Sequence, residues 1–377
     1  MIEINDYKEC CGCEACTNIC PKNCISMEEH DGFFYPKINK EDCINCHLCE
    51  KICPVSQTVN TLEPIDAFAG YNNDTQSRLT STSGGVFYLI AESIIRRGGT
   101  VYGVSFDGGF NTVFSRVEEL KDLYKLQGSK YPQSRIHDTY KQIKSDLNCG
   151  KEVLFCGTPC QVNGLKLFLQ KKYEKLYLID LICHGVPSPV FWNKYLKAYF
   201  DNEVIKSVTF KDKQFGWKNW CVVIETDKRV LIEKKLDNAY MSSYLCGYNV
   251  RPSCFNCNCK DRNRASDITI GDAWGTPEKN KFLNDNQGMS SIIINTKKGE
   301  KIFEEVSNKM TVQKYSLDDV VVGNPAYHVS MNTNPFNKQF AHEMSTKDAM
   351  KTYSKYHVAK LPGKVIHKIV GLFNSWR

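Results

Sequence analysis

A chain of 377 residues, 42% of them apolar, has room for two or three domains and a substantial buried core. The formal charge of +7 is modest and spread along the chain, which argues against nucleic-acid binding, and no apolar run reaches the roughly 18 residues of a membrane span. With no secretory start either, the reading is a soluble cytoplasmic protein whose nineteen cysteines serve metal or redox chemistry rather than a disulfide scaffold.

The first predicted unit is written in thiols. Cys10, Cys13, Cys16 and Cys20 before Pro21 follow C-x2-C-x2-C-x3-C-P, and Cys43, Cys46, Cys49 and Cys53 before Pro54 repeat it. Such short spacings let three thiolates wrap one iron-sulfur cube while the fourth crosses to a second cube, the bacterial ferredoxin arrangement. Cys10, Cys13, Cys16 and Cys53 are therefore expected to hold one 4Fe-4S cluster, and Cys20, Cys43, Cys46 and Cys49 another, leaving Cys11 and Cys24 over. A pair of zinc knots fits less well, because zinc takes four ligands in two separated pairs rather than two complete runs each closing on Cys-Pro.

The polar stretch "VSQTVNTLEP" then marks a boundary near Leu62, and "TSTSGGVFYLIAESIIRRGG" reads as a capped amphipathic helix with apolar residues at 86, 87, 90, 94 and 95. Gly84 and Gly85 at its start would leave backbone N–H groups open to an anion such as a cofactor pyrophosphate, although glycines before a helix also serve as plain turns.

Next, "EVLFCGTPCQVNGLKLFL" gives a buried strand at Val153 to Phe155, a tight loop and a helix from near Cys160, and "KLYLIDLICHGVPSPVFWNKYL" repeats strand, loop and helix. Apolar strands alternating with helices predict an α/β domain with a mostly parallel or mixed sheet behind an α+β ferredoxin module. The functional edge of such a sheet lies at the carboxyl ends of its strands, where both Cys160 and Cys183 fall. Cys254 and Cys257 add a C-x-x-C clip, so these four are expected to hold a third 4Fe-4S cluster, with Cys156 and Cys259 as rival ligands. The competing readings are small buried apolar thiols for the first two and a zinc clip for the last two.

The stretches "TSGGV", "QGSKYPQS", "FCGTPCQVNGLK", "LICHGVPSP" and "CFNC" followed by "SDITIGDAWG" resemble the family of coenzyme F420 hydrogenase and dehydrogenase beta subunits, which are iron-sulfur flavoproteins. With the paired cysteine runs in front, the resemblance extends from residue 10 to about 320. It implies FAD in the α/β domain, a 4Fe-4S cluster close to it, and exchange of electrons with a two-electron acceptor. Carried onto this chain, it makes Ser83, Gly84, Gly85, Gly128, Ser129, Lys130 and Tyr131 the flavin-site candidates and points to the same four cysteines for the third cluster. The family also holds reductases of chlorophyll pigments and proteins of polysaccharide-biosynthesis clusters, so it does not name a substrate.

The expected function is an FAD-dependent iron-sulfur oxidoreductase. Electrons would pass between a low-potential donor such as ferredoxin, three 4Fe-4S clusters, FAD and an organic acceptor, coenzyme F420 or another small molecule. The alternative is an electron-transfer subunit of a larger redox complex with no substrate of its own. Catalytic candidates are His184 as a proton relay, Lys130 toward a flavin phosphate or the reduced ring, and Asp272 toward a ribose or substrate; the plainer roles are a structural histidine, a solvated lysine and a turn aspartate.

The tail "KLPGKVIHKIVGLFNSWR" reads as an amphipathic basic helix that could rest on the inner face of the membrane, dock on a partner or pack on the chain's own core. The expected division is 1–61 for the ferredoxin domain, 62–322 for the FAD and cluster domain, and 323–377 for a C-terminal extension. Expected partners are a redox donor protein or other subunits, and a small-molecule acceptor.

Overall fold

The computed structural model describes residues 6–57, 63–261, 264–276, 283 and 285–356. The expected boundary at Leu62 and the basic tail both lie outside the described residues.

The N-terminal unit mirrors the duplication in its sequence. Each cysteine run carries a short helix, Ala15–Ile19 and Leu48–Lys51, and each helix is entered from a residue in the left-handed region, Glu14 at φ 55° and His47 at φ 58°. Between them, β1 (Ile25–His30) and β2 (Phe33–Ile38) pair antiparallel across a two-residue turn, Asp31-Gly32, whose positive φ angles of 48° and 85° match the twist of a hairpin. The unit docks on the rest of the chain through Glu14, which is buried and accepts from Arg135 Nε at 2.6 Å and from the Ile136 and His137 N–H groups.

The larger unit begins with β3 (Asp66–Asn72), β4 (Thr100–Phe106), β5 (Thr112–Val117), β6 (Val153–Gly157) and β7 (Leu176–Leu181). A separate antiparallel sheet of β8 (Ile205–Asp212), β9 (Cys221–Thr226) and β10 (Val230–Lys234) follows. Then β11 (Ile268–Asp272), β12 (Ser290–Ile294) and β13 (Met310–Tyr315) return to the first sheet, giving the order β13-β3-β12-β11-β7-β6-β4-β5. The central run β11-β7-β6-β4 is parallel and both flanks are antiparallel, so the sheet is mixed with a parallel heart.

That heart is covered on both faces, as the continuous apolar strands require. Leu154 and Ile179 pack with helices Val86–Arg96 and Lys297–Ser307 on one side. Val153, Phe155, Leu176 and Leu178 pack with helices Thr139–Asn148 and Pro159–Leu169 on the other. A second core, rich in aromatic rings, joins helix Pro189–Phe200 and the three-stranded sheet to helices Ala239–Leu245, Asn337–Thr346 and Ala349–Tyr356. Residues 337–356 thus pack into the main body. No described helix is long and apolar enough to cross a membrane.

Candidate functional site

All nineteen cysteines are free thiols. In the N-terminal unit the thiols form two adjoining groups that meet at Cys16 and Cys49. Burial, then the Cys10 and Cys53 sulfurs, pushes the Cys16 thiol well above its ordinary value, which places Cys10, Cys16 and Cys53 together although Cys53 belongs to the second run. Cys13 stands beside Cys11, Cys16 and Cys10. Cys20, Cys43, Cys46 and Cys49 line a small pocket of their own, joined there by Cys24, whose sulfur is 3.4 Å from that of Cys20.

Three distant segments bring the other thiols together. Cys160 lies in the first turn of helix Pro159–Leu169, which Thr158 and Gln161 close with a reciprocal capping box. Cys183 follows the end of β7, and Cys254 sits in the single turn Pro252–Asn256 with Cys257 just after it. Burial, then the charges of Cys183 and Cys160, pushes the Cys254 thiol up, and burial raises Cys183 to about 11 against the opposing pull of Lys260. Burial and neighbouring thiols raise Cys160, Cys183 and Cys254, whereas contact with Cys259 lowers Cys257 to about 6. Buried thiols gathered this closely, one of them already eased toward thiolate, suit positive iron, so the donor set fits a cluster. Among the described residues no His, Cys, Asp or Glu group converges as a single metal ion requires.

Of the spare thiols, Cys11 touches Cys160, and contact with it is the largest influence raising the Cys160 thiol. Cys259 accepts a hydrogen bond from Asn163 Nδ2 at 3.4 Å and stands beside Cys257. Cys156 feels Asp180 and Lys130 rather than the thiol group. The rivals nearest the set are therefore Cys11 and Cys259.

All four thiols open on a cavity of about 1770 Å³, larger than the roughly 300–1,000 Å³ of ordinary small-molecule pockets. The flavin-site candidates line the same cavity, apart from Gly84. Their two loops are tied together by a Thr82–Ser129 hydroxyl contact at 2.9 Å and by Gln127 Nε2 donating to the Thr80 and Ser81 hydroxyls. Gly85 caps helix Val86–Arg96 at φ 84°, and Gly128 turns the second loop at φ 78°. The Gly84 N–H is not open to a ligand: it donates to Ser290 Oγ at 2.9 Å, because this residue is wedged against the sheet backbone.

Lys130 donates to the Lys125 and Gln127 carbonyls at 2.8 and 2.6 Å, and burial pushes its ammonium down to about 7. Tyr131 packs among Phe210, Trp220 and Tyr244. Asp272 is not a turn aspartate. At the end of β11 it accepts from Ser83 Oγ at 2.6 Å and Trp217 Nε1 at 2.9 Å and pairs with Lys211 at 2.5 Å. Burial would raise its carboxyl, yet the Lys211 charge and these donors hold it below the usual range.

His184 faces the cavity, and burial, then Lys260 and Lys211, pushes it down to about 4, so its imidazole is neutral at neutral pH. Asp267 instead braces the sheet, accepting from the Leu178 N–H and the Thr296 hydroxyl. Lys211 and Trp220, which no sequence motif marks, complete the wall together with Trp274, on which Trp217 stacks at 4.1 Å between ring centres. The aromatic-rich "FGWKNW" is the one local hint of them.

Residues 150–319 match the family of the C-terminal part of the coenzyme F420 hydrogenase/dehydrogenase beta chain, and residues 9–57 match the 4Fe-4S dicluster domain. A coenzyme F420-dependent sulfite reductase of Methanocaldococcus jannaschii is 26% identical over 325 residues, which cover 84% of this chain and 49% of that protein. The chain thus spans about half the length of the curated relative it matches. Among solved structures, a chain of the F420-reducing NiFe hydrogenase complex of Methanosarcina barkeri is similar with a TM-score of 0.47 at 14% identity, covering 78% of this chain and 93% of that one.

Proposed function

With residues 150–319 belonging to the coenzyme F420 hydrogenase/dehydrogenase beta subunit family and a 4Fe-4S dicluster domain ahead of them, we propose an iron-sulfur flavoprotein oxidoreductase. It exchanges electrons between a low-potential donor such as ferredoxin and a two-electron organic acceptor, coenzyme F420 or another small molecule. The observation that supports this best is the shared cavity, lined both by Cys160, Cys183, Cys254 and Cys257 and by Ser83, Gly85 and Gly128 to Tyr131. Clusters supply single electrons and FAD exchanges either one or two, which is the chemistry such a pairing serves.

The chain's own groups have assignable tasks in this reading. Three cysteine sets hold the clusters. Ser83, Gly85, Gly128 and Ser129 bound the flavin, and Lys130 offers it a cation. Asp272, Lys211 and Ser83 form a brace that fixes the glycine-bearing loop against β11. His184, neutral and facing the cavity, can accept a proton at a ring nitrogen. The proposal also includes a cytoplasmic setting, a donor protein or partner subunits, and a separate 1–61 ferredoxin domain.

Anaerobically reconstituted protein is expected to release FAD on denaturation and to hold about twelve irons, four for each of three clusters. A preparation that takes up iron but no flavin overturns the flavoprotein reading. The second reading is an electron-transfer subunit of a larger redox complex with no substrate of its own. Such a unit exchanges electrons with viologen dyes yet turns over no metabolite alone, F420 included.

A further inference from the structure

Arg251 is among the largest side chains to be fully enclosed, with 1% of its surface exposed. Its guanidinium donates to the Cys10 carbonyl at 2.8 Å, to Gln133 Oε1 at 2.8 Å and to the Phe34 carbonyl at 3.1 Å, and it lies 4.3 Å from the centre of the Tyr35 ring. Its backbone belongs to the other thiol group: the Arg251 N–H donates to Val186, and its carbonyl accepts from the Cys254 N–H at 2.9 Å. One residue therefore touches the backbone of the first cysteine run with its side chain and the backbone of Cys254 with its main chain. Gly12 permits the approach, since a Cβ there would fall 2.9 Å from the guanidinium carbon.

The partners of this cation are incomplete. The other deeply buried arginines are paired with carboxylates, Arg264 with Asp180 at 3.1 Å and Arg78 with Asp285 at 2.6 Å. Arg251 has no carboxylate within ion-pair distance among the described residues. Carbonyls and an aromatic face satisfy its donors but leave its charge unbalanced, and an unbalanced buried charge is costly. A cube bearing four thiolates is net negative, and the two proposed cubes beside Arg251 are placed to balance it.

We propose that Arg251 is a positioning residue that supplies a shared positive charge to two of the clusters, those on Cys10, Cys13, Cys16 and Cys53 and on Cys160, Cys183, Cys254 and Cys257. This rests on the functional reading above. Reduction adds a negative charge to a cluster, so a fixed cation nearby favours the reduced form and raises the potential. The same contacts pin the N-terminal unit to the larger one. The facing helix Pro159–Leu169 leaves no room for more than a glycine at 164, whose Cβ would lie 3.0 Å from Cys13 Sγ. The two clusters are thereby held at a fixed separation with one charge serving both.

The test is a redox titration of the fully loaded protein followed by electron paramagnetic resonance, comparing wild type with Arg251→Met and Arg251→Lys. The expected result for Arg251→Met is a move to more negative potential for two clusters, with the cluster on Cys20, Cys43, Cys46 and Cys49 unmoved. Arg251→Lys, which keeps the charge, should return both toward wild type. No shift, or an equal shift of all three clusters, overturns the proposal. If Arg251→Met does not keep its iron, Arg251→Gln is titrated in its place. Loss of iron from both neutral variants with full loading of Arg251→Lys supports the charge, and loss from Arg251→Lys as well counts against it. A wild type holding about eight irons would mean instead that the reading of function fails at the third cluster, a distinct outcome.

Discussion

Gly84 is held to glycine by its neighbours: a Cβ would come within 2.4 Å of the Gly70 carbonyl and 2.8 Å of the Ser290 nitrogen, both backbone atoms that cannot swing aside. Gly84→Ala is expected to cost roughly 1–3 kcal/mol, measured by urea unfolding, and to weaken flavin binding by shifting the loop; wild-type stability would sink this view. The Lys211–Asp272 pair is nearly enclosed, so Asp272→Asn, which strands the Lys211 charge, is expected to cost about 3–5 kcal/mol in the same measurement. At Lys130 the folded chain disfavours the cation, holding it near 7, whereas the unfolded chain keeps its proton to about 10.4. That penalty is fully present below pH 7 and fades as pH rises toward 10. An anionic flavin phosphate would favour the protonated form, so FAD affinity should fall as pH rises through about 7 and beyond, and Lys130→Met should flatten the profile. A wild-type affinity independent of pH would remove Lys130 from the flavin site.

Elements with strong local grammar were legible. Helix Val86–Arg96 announces itself by a glycine-bearing start and an apolar stripe, and β6 and β7 by short apolar runs that end in turn residues before a Pro-led helix. What those patterns could not show is that the Gly84 N–H is already spent on Ser290, because that contact depends on a strand 206 positions away. The sheet β8-β9-β10 left little trace, since β10 alternates exposed and half-buried positions and β8 is buried only at Phe210 and Lys211, so neither outer strand gives a continuous apolar run. Helix Ala349–Tyr356 was hidden differently. It reads as polar, yet Thr352, Tyr353 and Tyr356 form one buried face. Tyr353 is 1% exposed and donates to the Phe191 carbonyl at 2.9 Å. Tyr353→Ala should lower stability by roughly 3–5 kcal/mol, and limited proteolysis should then cut within 337–356 sooner than in wild type. Equal resistance to protease would show that this segment contributes little to the core.

At the scale of the whole molecule, the candidate site comes from loops and strand ends that share one rim. For the N-terminal cysteines spacing alone suggests two sets, because each run is a complete local signature. The cavity thiols needed the logic of the sheet as well, which places Cys160 and Cys183 at neighbouring carboxyl ends, while Lys211 and Trp220 reach the cavity, Trp217 reaches Asp272 and Arg251 reaches Cys10 and Cys254 only through tertiary packing that no short motif encodes. Cys11, left over in the spacing, meets Cys160 because the N-terminal unit docks against helix Pro159–Leu169. The central claim is that Cys160, Cys183, Cys254 and Cys257 together hold iron beside a flavin. Its most direct test is iron, sulfide and flavin analysis of anaerobically reconstituted Cys254→Ser against wild type. The account predicts a fall from about twelve irons to about eight with the N-terminal clusters intact, and unchanged iron in a folded variant would contradict it.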